Sequence, residues 1–146
     1  MRTVSVYIDT SIKGPRRRDG SCLYILAFQA SGGGTADAGG WIRREGATEN
    51  QLALLGLECA LRRLKEPCRL LLHLECRYAA AALRNKWYEE WERNGWRNAK
   101  GRPVADADLW RSIQYLLNGS ELEVLLQADH PYQGWMRTEL SRENKN

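Results

Sequence analysis

Long apolar runs, paired cysteines and repeats are absent from this 146-residue sequence. No stretch is long and apolar enough to cross a membrane as a helix, so we expect no membrane association. No charged segment followed by an apolar one stands at the start, which favours a cytoplasmic location over secretion. With no internal repeat and no low-complexity linker, the length predicts a single domain over residues 1–146 with one buried core.

Cysteine spacing excludes two classes of site. The sequence contains no C-x-x-C pair, and its four cysteines lie inside apolar segments, at Cys22, Cys59, Cys68 and Cys76. This spacing is typical neither of a zinc site nor of a disulfide scaffold. We therefore expect four buried free thiols, which fits a reducing compartment.

A strong excess of charge of one sign is also missing, because 22 Lys and Arg face 18 Asp and Glu for a net charge of +4. Such a balance permits a polyanionic partner without requiring one. The cations are nevertheless concentrated locally. Four of them fall within residues 13–18, and residues 84–102 contain six Lys and Arg against three Glu.

Hydrophobic periodicity predicts an alternation of strands and helices. Thr48 and Gln51 have the spacing of a capping box that begins a helix. The segment 31–40 has turn composition. The predicted elements are strands at 2–9, 21–30 and 40–45, a helix at about 48–66, a strand at 68–75, one helix or two short ones at 77–96 ending at Gly95, a helical stretch within 101–117, a strand at 121–128 and a helix at 132–144. This order indicates an α/β fold, in which a mixed sheet with an antiparallel start is flanked by helices.

Two of the predicted core strands end in an acid, Asp9 and Glu75. Ligands of α/β sheets gather at the carboxyl ends of strands. Two acids at that edge are costly to bury unless they share a cation, and magnesium is the natural candidate. The alternative is that each is a solvated acid at a strand end.

Tryptophans interleave with cations in the segment 84–103. Trp87 and Trp91 are four residues apart and share a helix face, and Trp96 follows. This mixture can hold a phosphate backbone while aromatic rings stack on sugar or base. The alternative is that the tryptophans are core anchors and the charges a solvated face.

The motifs "LECRY", "NGWRN", "GRPV" and "ADLW" stand where bacterial-type ribonuclease H has Thr-Asp-Ser-Gln-Tyr, Gly-Trp-Lys, Lys-Pro-Val and Asp-Leu-Trp. The chain resembles that family over nearly its whole length, without gaps from residue 64 to residue 110. The resemblance implies a five-stranded sheet, three strands antiparallel and then two parallel, with a basic tryptophan-rich protrusion at about 84–103. It also implies binding of RNA–DNA hybrids and cleavage of the RNA strand by two-metal hydrolysis.

The catalytic set of the family is only half present. Asp9 and Glu75 match its first-strand acid and its acid after the long helix, so they are the expected ligands of Mg²⁺ or Mn²⁺. The glutamate of the long helix falls on Ala53, and the acid of the last helix falls on Thr138. With two carboxylates, one metal ion would bind weakly, and the symmetric clamp on the attacking and leaving oxygens would be compromised.

Neighbouring residues are candidates to complete the site. Glu49 lies four residues before Ala53, on nearly the same helix face, and Glu139 is adjacent to Thr138. Asp129 or His130 falls where the family often has a histidine that assists proton transfer or product release.

The same resemblance and the cation clusters predict a nucleic-acid surface. The loop "KGPRRRDG" replaces the glycine-rich connection that presents backbone to the RNA strand in the family. Arginines that reach phosphates add salt-dependent affinity without sequence information. The expected contacts are Ser11, Lys13, Arg16, Arg17, Arg18, Asn50, Arg77, Lys86, Trp87, Trp91, Trp96, Arg97 and Lys100.

Three functions remain open on this sequence. The first is a divergent ribonuclease H that hydrolyses RNA in a hybrid. The second is a nucleic-acid-binding module for hybrids or duplex RNA that keeps the fold and groove without turnover. The third is a protein-interaction domain built around Trp135.

Overall fold

Five segments of the sequence form the strands of one sheet in the computed structural model. The structure describes residues 1–29, 33, 35–126 and 129–143. Its strands are β1 Thr3–Thr10, β2 Arg18–Gln29, β3 Thr35–Ala47, β4 Arg69–Leu74 and β5 Glu121–Leu126. Its helices are α1 Glu49–Arg62, α2 Arg77–Arg84, α3 Trp87–Arg93, α4 Ala107–Leu117 and α5 Gln133–Glu143. The predicted ends at 30, 127–128 and 144 lie outside the described residues.

The sheet is mixed, in the spatial order β3-β2-β1-β4-β5. β1 pairs antiparallel with β2, and β2 with β3, whereas β4 runs parallel to β1 and to β5. This arrangement confirms the predicted fold. Ile8 lies opposite Leu74 in the parallel register of β1 and β4. The residues that follow them, Asp9 and Glu75, therefore occupy neighbouring positions at the same edge of the sheet.

The two faces of the sheet are covered by different helices. Val4, Val6 and Ile8 belong to the main core, which also contains the buried sides of α1, α2 and α4. Tyr7 belongs to a second cluster with Met136 and Leu140 of α5. Because side chains alternate along a strand, Asp9 lies on the same face as Tyr7, which is the face that α5 covers.

β3 is longer than predicted, because residues 35–40 are strand and not turn. The glycines that suggested a turn are needed here for close approach to β2. A Cβ at Gly39 would lie 2.7 Å from the carbonyl oxygen of Tyr24, and one at Gly40 would lie 2.5 Å from the Tyr24 hydroxyl. Glycine inside a strand is a common sign of such contact.

The long helix begins as predicted and ends earlier. The Thr48 hydroxyl caps α1 by accepting a hydrogen bond from the Gln51 backbone N–H at 3.0 Å. The helix ends at Arg62 and not near residue 66. Just after Arg62, the backbone N–H groups of Arg63 and Leu64 donate to the carbonyls three residues before them. Such a tightened last turn is common at helix ends.

The region 77–96 contains two short helices and not one continuous helix, which were the two alternatives that the sequence left open. Lys86 separates α2 from α3 with a positive φ of 52°. A left-handed backbone at a non-glycine residue ends a helix and redirects the chain. Among the described residues, no helix has both the length and the apolar character that a membrane span requires.

All four cysteines are free thiols, and burial raises the pKa of each. Cys22, Cys68 and Cys76 are buried as predicted. Cys59 is only half-buried, because it lies toward the edge of the α1 packing face.

Gly56 is required by the close packing of α1 on β2. A Cβ there would overlap the Cys22 Sγ and lie 3.6 Å from the Ile8 Cγ2. We expect Gly56→Ala to lower the free energy of unfolding by about 1–2 kcal/mol, because overpacking outweighs the gain in helix propensity. Urea unfolding followed by circular dichroism measures the change.

The control is Cys22→Ala, which removes the sulfur atom and leaves room for the new methyl group. The double variant should then lose less stability than the sum of the two single losses. Strict additivity would contradict the proposed overlap.

Candidate functional site

Asp9 and Glu75 are brought together by the parallel pairing of β1 and β4. They line one small cleft of about 330 Å³ with residues of the end of β1, of the loop that follows it and of α5, namely Thr10, Ser11, Lys13, Arg137, Leu140 and Ser141. The sequence predicted the two acids and Ser11 and Lys13 near each other. It did not predict that Arg137 joins them.

Each carboxylate has a basic partner. The Lys13 ammonium lies 2.5 Å from the Asp9 Oδ1, which also accepts a hydrogen bond from the Thr10 backbone N–H at 2.8 Å. The Arg137 guanidinium lies 3.8 Å from the Glu75 Oε1, and the Gln133 amide donates to the same oxygen at 3.2 Å. The cleft therefore contains two negative and two positive side chains.

The last helix does not present the predicted position to the cleft. Thr138 is exposed, and its hydroxyl donates to the Gly134 carbonyl at 3.0 Å. Its neighbour Arg137 lines the cleft with Ser141, one turn further along. In the structure the last helix thus presents Arg137, and not the expected Thr138, to the two acids. The sequence contained a sign of this, since the polar residues Gln133, Arg137 and Ser141 are spaced four apart and therefore share one face of α5.

Neither substitute acid completes a metal site. The Glu49 carboxylate accepts a hydrogen bond from the Gly14 backbone N–H at 2.9 Å, and the Glu139 carboxylate accepts one from Arg142 at 3.0 Å. Ala53 is buried. Within the described ranges, no three His, Cys, Asp or Glu residues are arranged to hold a metal ion. The two-metal site that the resemblance implies is therefore not matched by this donor set.

His130 packs beside the cleft, whereas Asp129 is exposed. The His130 ring lies 4.5 Å from the Tyr7 ring and 5.4 Å from the His73 ring. Its Nδ1 accepts a hydrogen bond from the Tyr132 backbone N–H at 3.2 Å. Burial lowers the pKa of His130, and Glu75 and Asp9 partly oppose that effect. The histidine is thus held by ring packing in the electric field of the two acids.

A larger groove of about 990 Å³ adjoins the small cleft, because Lys13 and Glu75 line both. Among the predicted nucleic-acid contacts, Lys13, Arg17, Asn50 and Arg77 line this groove, together with Glu49. Arg17 is held in place by a hydrogen bond to the Gly46 carbonyl at 3.0 Å. Arg16 is exposed on the same loop, and Arg18 is exposed at the start of β2.

Tyr78 and Asp106 are among the groove residues that were not predicted. The Tyr78 side chain on α2 is 45% exposed, and both its partial burial and the Asp106 charge raise its pKa. Burial also raises the pKa of Asp106, and Arg17 opposes that shift. Asp106 has a positive φ of 58° at the start of α4. Neither residue stands out in the sequence, because only the fold brings Tyr78 of α2 and Asp106 at the start of α4 to one groove.

The tryptophans of the protrusion are half-buried and pack against the core. Trp91 contacts the Trp87, Trp96 and Trp110 rings at centroid distances of 6.2, 6.5 and 5.5 Å. The Arg111 guanidinium lies 5.0 Å from the Trp96 ring. The structure thus places Trp87, Trp91 and Trp96 as anchors of the protrusion. The cations Lys86, Arg97 and Lys100 are exposed there, outside the groove and the small cleft.

Similarity to known proteins decides the family. The family model for RNase H matches residues 1–128. The chain belongs to the ribonuclease H family. The match ends before α5, so Arg137 lies in the part of the chain that the family model does not cover.

Curated ribonucleases H are moderately similar to this family member. The ribonuclease H of Moorella thermoacetica is 39% identical over 87 residues, which cover 59% of this chain and 57% of that protein. That of Nitratidesulfovibrio vulgaris strain Miyazaki F is 34% identical over 107 residues, covering 68% of this chain and 67% of the relative. The chain therefore spans between about half and two thirds of these relatives.

Two solved structures share the fold of this chain. LC9-RNase H1, described as a type 1 RNase H with the type 2 active-site motif, has a TM-score of 0.75 at 20% identity, over 98% of this chain and 70% of that one. A foamy viral protease–reverse transcriptase in complex with RNA/DNA hybrid has a TM-score of 0.67 at 16% identity, over 95% of this chain and 19% of that one.

Proposed function

We propose that this ribonuclease H family member binds RNA–DNA hybrids in the groove beside Asp9 and Glu75 and does not hydrolyse them by a two-metal mechanism. The observation that carries the proposal is the pairing of each carboxylate with a cation, Lys13 or Arg137, in a cleft without a third acid among the described residues. Two-metal hydrolysis requires more anionic ligands than this cleft supplies.

Binding is supported by the charge and shape of the groove. Lys13, Arg17 and Arg77 line it, and Asn50 adds an amide beside them. Cations along a groove neutralise phosphates and release counterions, which gives affinity for any nucleic-acid backbone. Two observations support an RNA–DNA hybrid as the ligand. The chain belongs to the ribonuclease H family, and the foamy viral protein of similar fold was solved in complex with such a hybrid.

A hydrolase is the second candidate. What favours it is that Asp9 and Glu75 are retained at neighbouring strand ends. In that case the two acids hold Mg²⁺ or Mn²⁺ weakly, and turnover depends on displacing the basic partners from both carboxylates.

The test is to incubate the purified chain with a fluorescein-labelled RNA–DNA hybrid and Mg²⁺ or Mn²⁺. We expect binding by anisotropy and no RNA cleavage on a denaturing gel, because the cleft does not match a two-metal donor set. Duplex RNA and duplex DNA serve as competitors and should bind less tightly than the hybrid.

Two variants sharpen this experiment. Asp9→Asn should leave the gel unchanged, whereas Ala53→Glu combined with Arg137→Asp supplies the two missing acids. Cleavage by that double variant alone supports the proposal. Cleavage by the unmodified chain that Asp9→Asn abolishes would instead establish the hydrolase. Tighter binding of duplex RNA would overturn the assignment of the hybrid.

A further inference from the structure

The positive side chains of the small cleft lie on its solvent side. The Lys13 and Arg137 side chains are 54% and 63% exposed, whereas those of their partners Asp9 and Glu75 are 8% and 20% exposed. A ligand that enters from solvent therefore meets the two cations before the two acids. This order favours an anion over a metal cation, because a metal would have to displace both basic groups to reach the carboxylates.

The geometry of the cations suits a phosphate group. A guanidinium presents several N–H donors in a fixed fork that matches phosphate oxygens, and an ammonium acts as a compact point charge beside it. Glu75 is the ion-pair partner of Arg137, and a hydrogen bond from the Gln133 amide holds that carboxylate in place. Asp9 is likewise the ion-pair partner of Lys13. The acids thus orient the cations, which reduces the entropy cost of binding a ligand.

The cleft also lies on the path of the proposed nucleic acid. Lys13 and Glu75 line both the groove and the cleft, and Arg17 and Arg77 continue the positive lining along the groove. A backbone bound to Arg17 and Arg77 can therefore place a neighbouring phosphate in the cleft.

We infer that Lys13 and Arg137 form a phosphate-binding site that takes the place of the metal ions, so that hybrid binding does not require a divalent cation. The inference rests on the proposed function for the identity of the larger ligand. Beyond the proposed function, it states which residues bind one phosphodiester group and that hybrid binding is independent of a divalent metal ion.

The first experiment measures hybrid binding with the full chain in EDTA and in Mg²⁺. The dissociation constant should agree within about twofold between the two conditions. Lys13→Ala and Arg137→Ala should each weaken binding about tenfold, as expected when a charge-assisted hydrogen bond is removed. Each should also reduce the slope of log affinity against log salt by about 0.9.

The matched control is Arg142→Ala, which removes the same charge from α5. Arg142 is exposed and pairs with Glu139, outside the cleft. Its binding constant should stay within about twofold of the unmodified chain. Arg137→Lys keeps the charge without the fork and should fall between Arg137→Ala and the unmodified protein. Thermal unfolding of each variant separates weaker binding from impaired folding.

A second experiment does not depend on the hybrid. Dimethyl phosphate is titrated in EDTA while the side-chain N–H signals of Arg137 and Arg142 are followed by NMR. A shift at Arg137 and none at Arg142 is the expected result.

The two failures are distinguishable. If no hybrid binds but dimethyl phosphate shifts Arg137, the proposed function is wrong and the phosphate site stands. If the hybrid binds equally well to the Lys13 and Arg137 variants, or only in Mg²⁺, the phosphate site is wrong and the proposed function stands.

Discussion

Replacing Arg16, Arg17 and Arg18 by alanine is expected to weaken hybrid binding at least about tenfold near physiological salt. The slope of log affinity against log salt should become shallower by about 0.9 for each phosphate that the loop no longer neutralises. Arg17 lines the groove, and the Gly46 carbonyl holds its guanidinium. The preceding loop is tied to α1 by the hydrogen bond from the Gly14 backbone N–H to Glu49. Anisotropy titrations at several salt concentrations measure both quantities.

The control removes the same charge from the opposite end of the molecule. Arg62 ends α1 and Arg69 begins β4, whereas the groove lies at the start of α1 and just beyond the end of β4. Lys65 lies between them in the chain and is exposed. Alanine at these three positions should change affinity by less than about twofold, because exposed charges more than a Debye length from the ligand are screened. Equal effects in the two triple variants would mean that net charge, and not the loop, determines affinity.

Replacing Trp110 by alanine is expected to lower the free energy of unfolding by about 3–5 kcal/mol. Trp110 is among the largest fully buried side chains. Its ring stacks on the Tyr88 ring at 6.2 Å and meets the Trp91 ring edge-on at 5.5 Å. The substitution therefore leaves a cavity where α4 meets the base of the protrusion. Urea unfolding followed by circular dichroism tests the destabilisation.

Trp110→Phe is the informative companion variant. The indole Nε1 of Trp110 is buried and has no hydrogen-bond partner among the described residues. Phenylalanine keeps an aromatic ring between Tyr88 and Trp91 and removes that unpaired donor, whose burial costs about 1–3 kcal/mol. We expect Trp110→Phe to lose less than half of the stability that Trp110→Ala loses. Equal destabilisation would show that the indole shape, and not ring burial, stabilises this site.

Most elements of the fold were predictable from local patterns. The capping residues Thr48 and Gln51 and the apolar periodicity behind them indicated α1, and the helix begins within one residue of the prediction. The predicted start of β3 was wrong, because glycine is common both in turns and in strands that lie close to a large side chain. Composition alone therefore does not separate the two cases. Only the position of Tyr24 beside Gly39 and Gly40 distinguishes the two cases.

The candidate site was likewise predictable only in part from the sequence. By itself, the sequence determined the family, the order of the elements and the two strand-end acids Asp9 and Glu75, because these depend on residue type and on spacing along the chain. Tertiary structure alone decided that Arg137 and not Thr138 reaches Glu75. The rotation of α5 about its axis follows from burying Met136 and Leu140 against the sheet. A rotation of one residue, about 100°, exchanges which side chain enters the cleft.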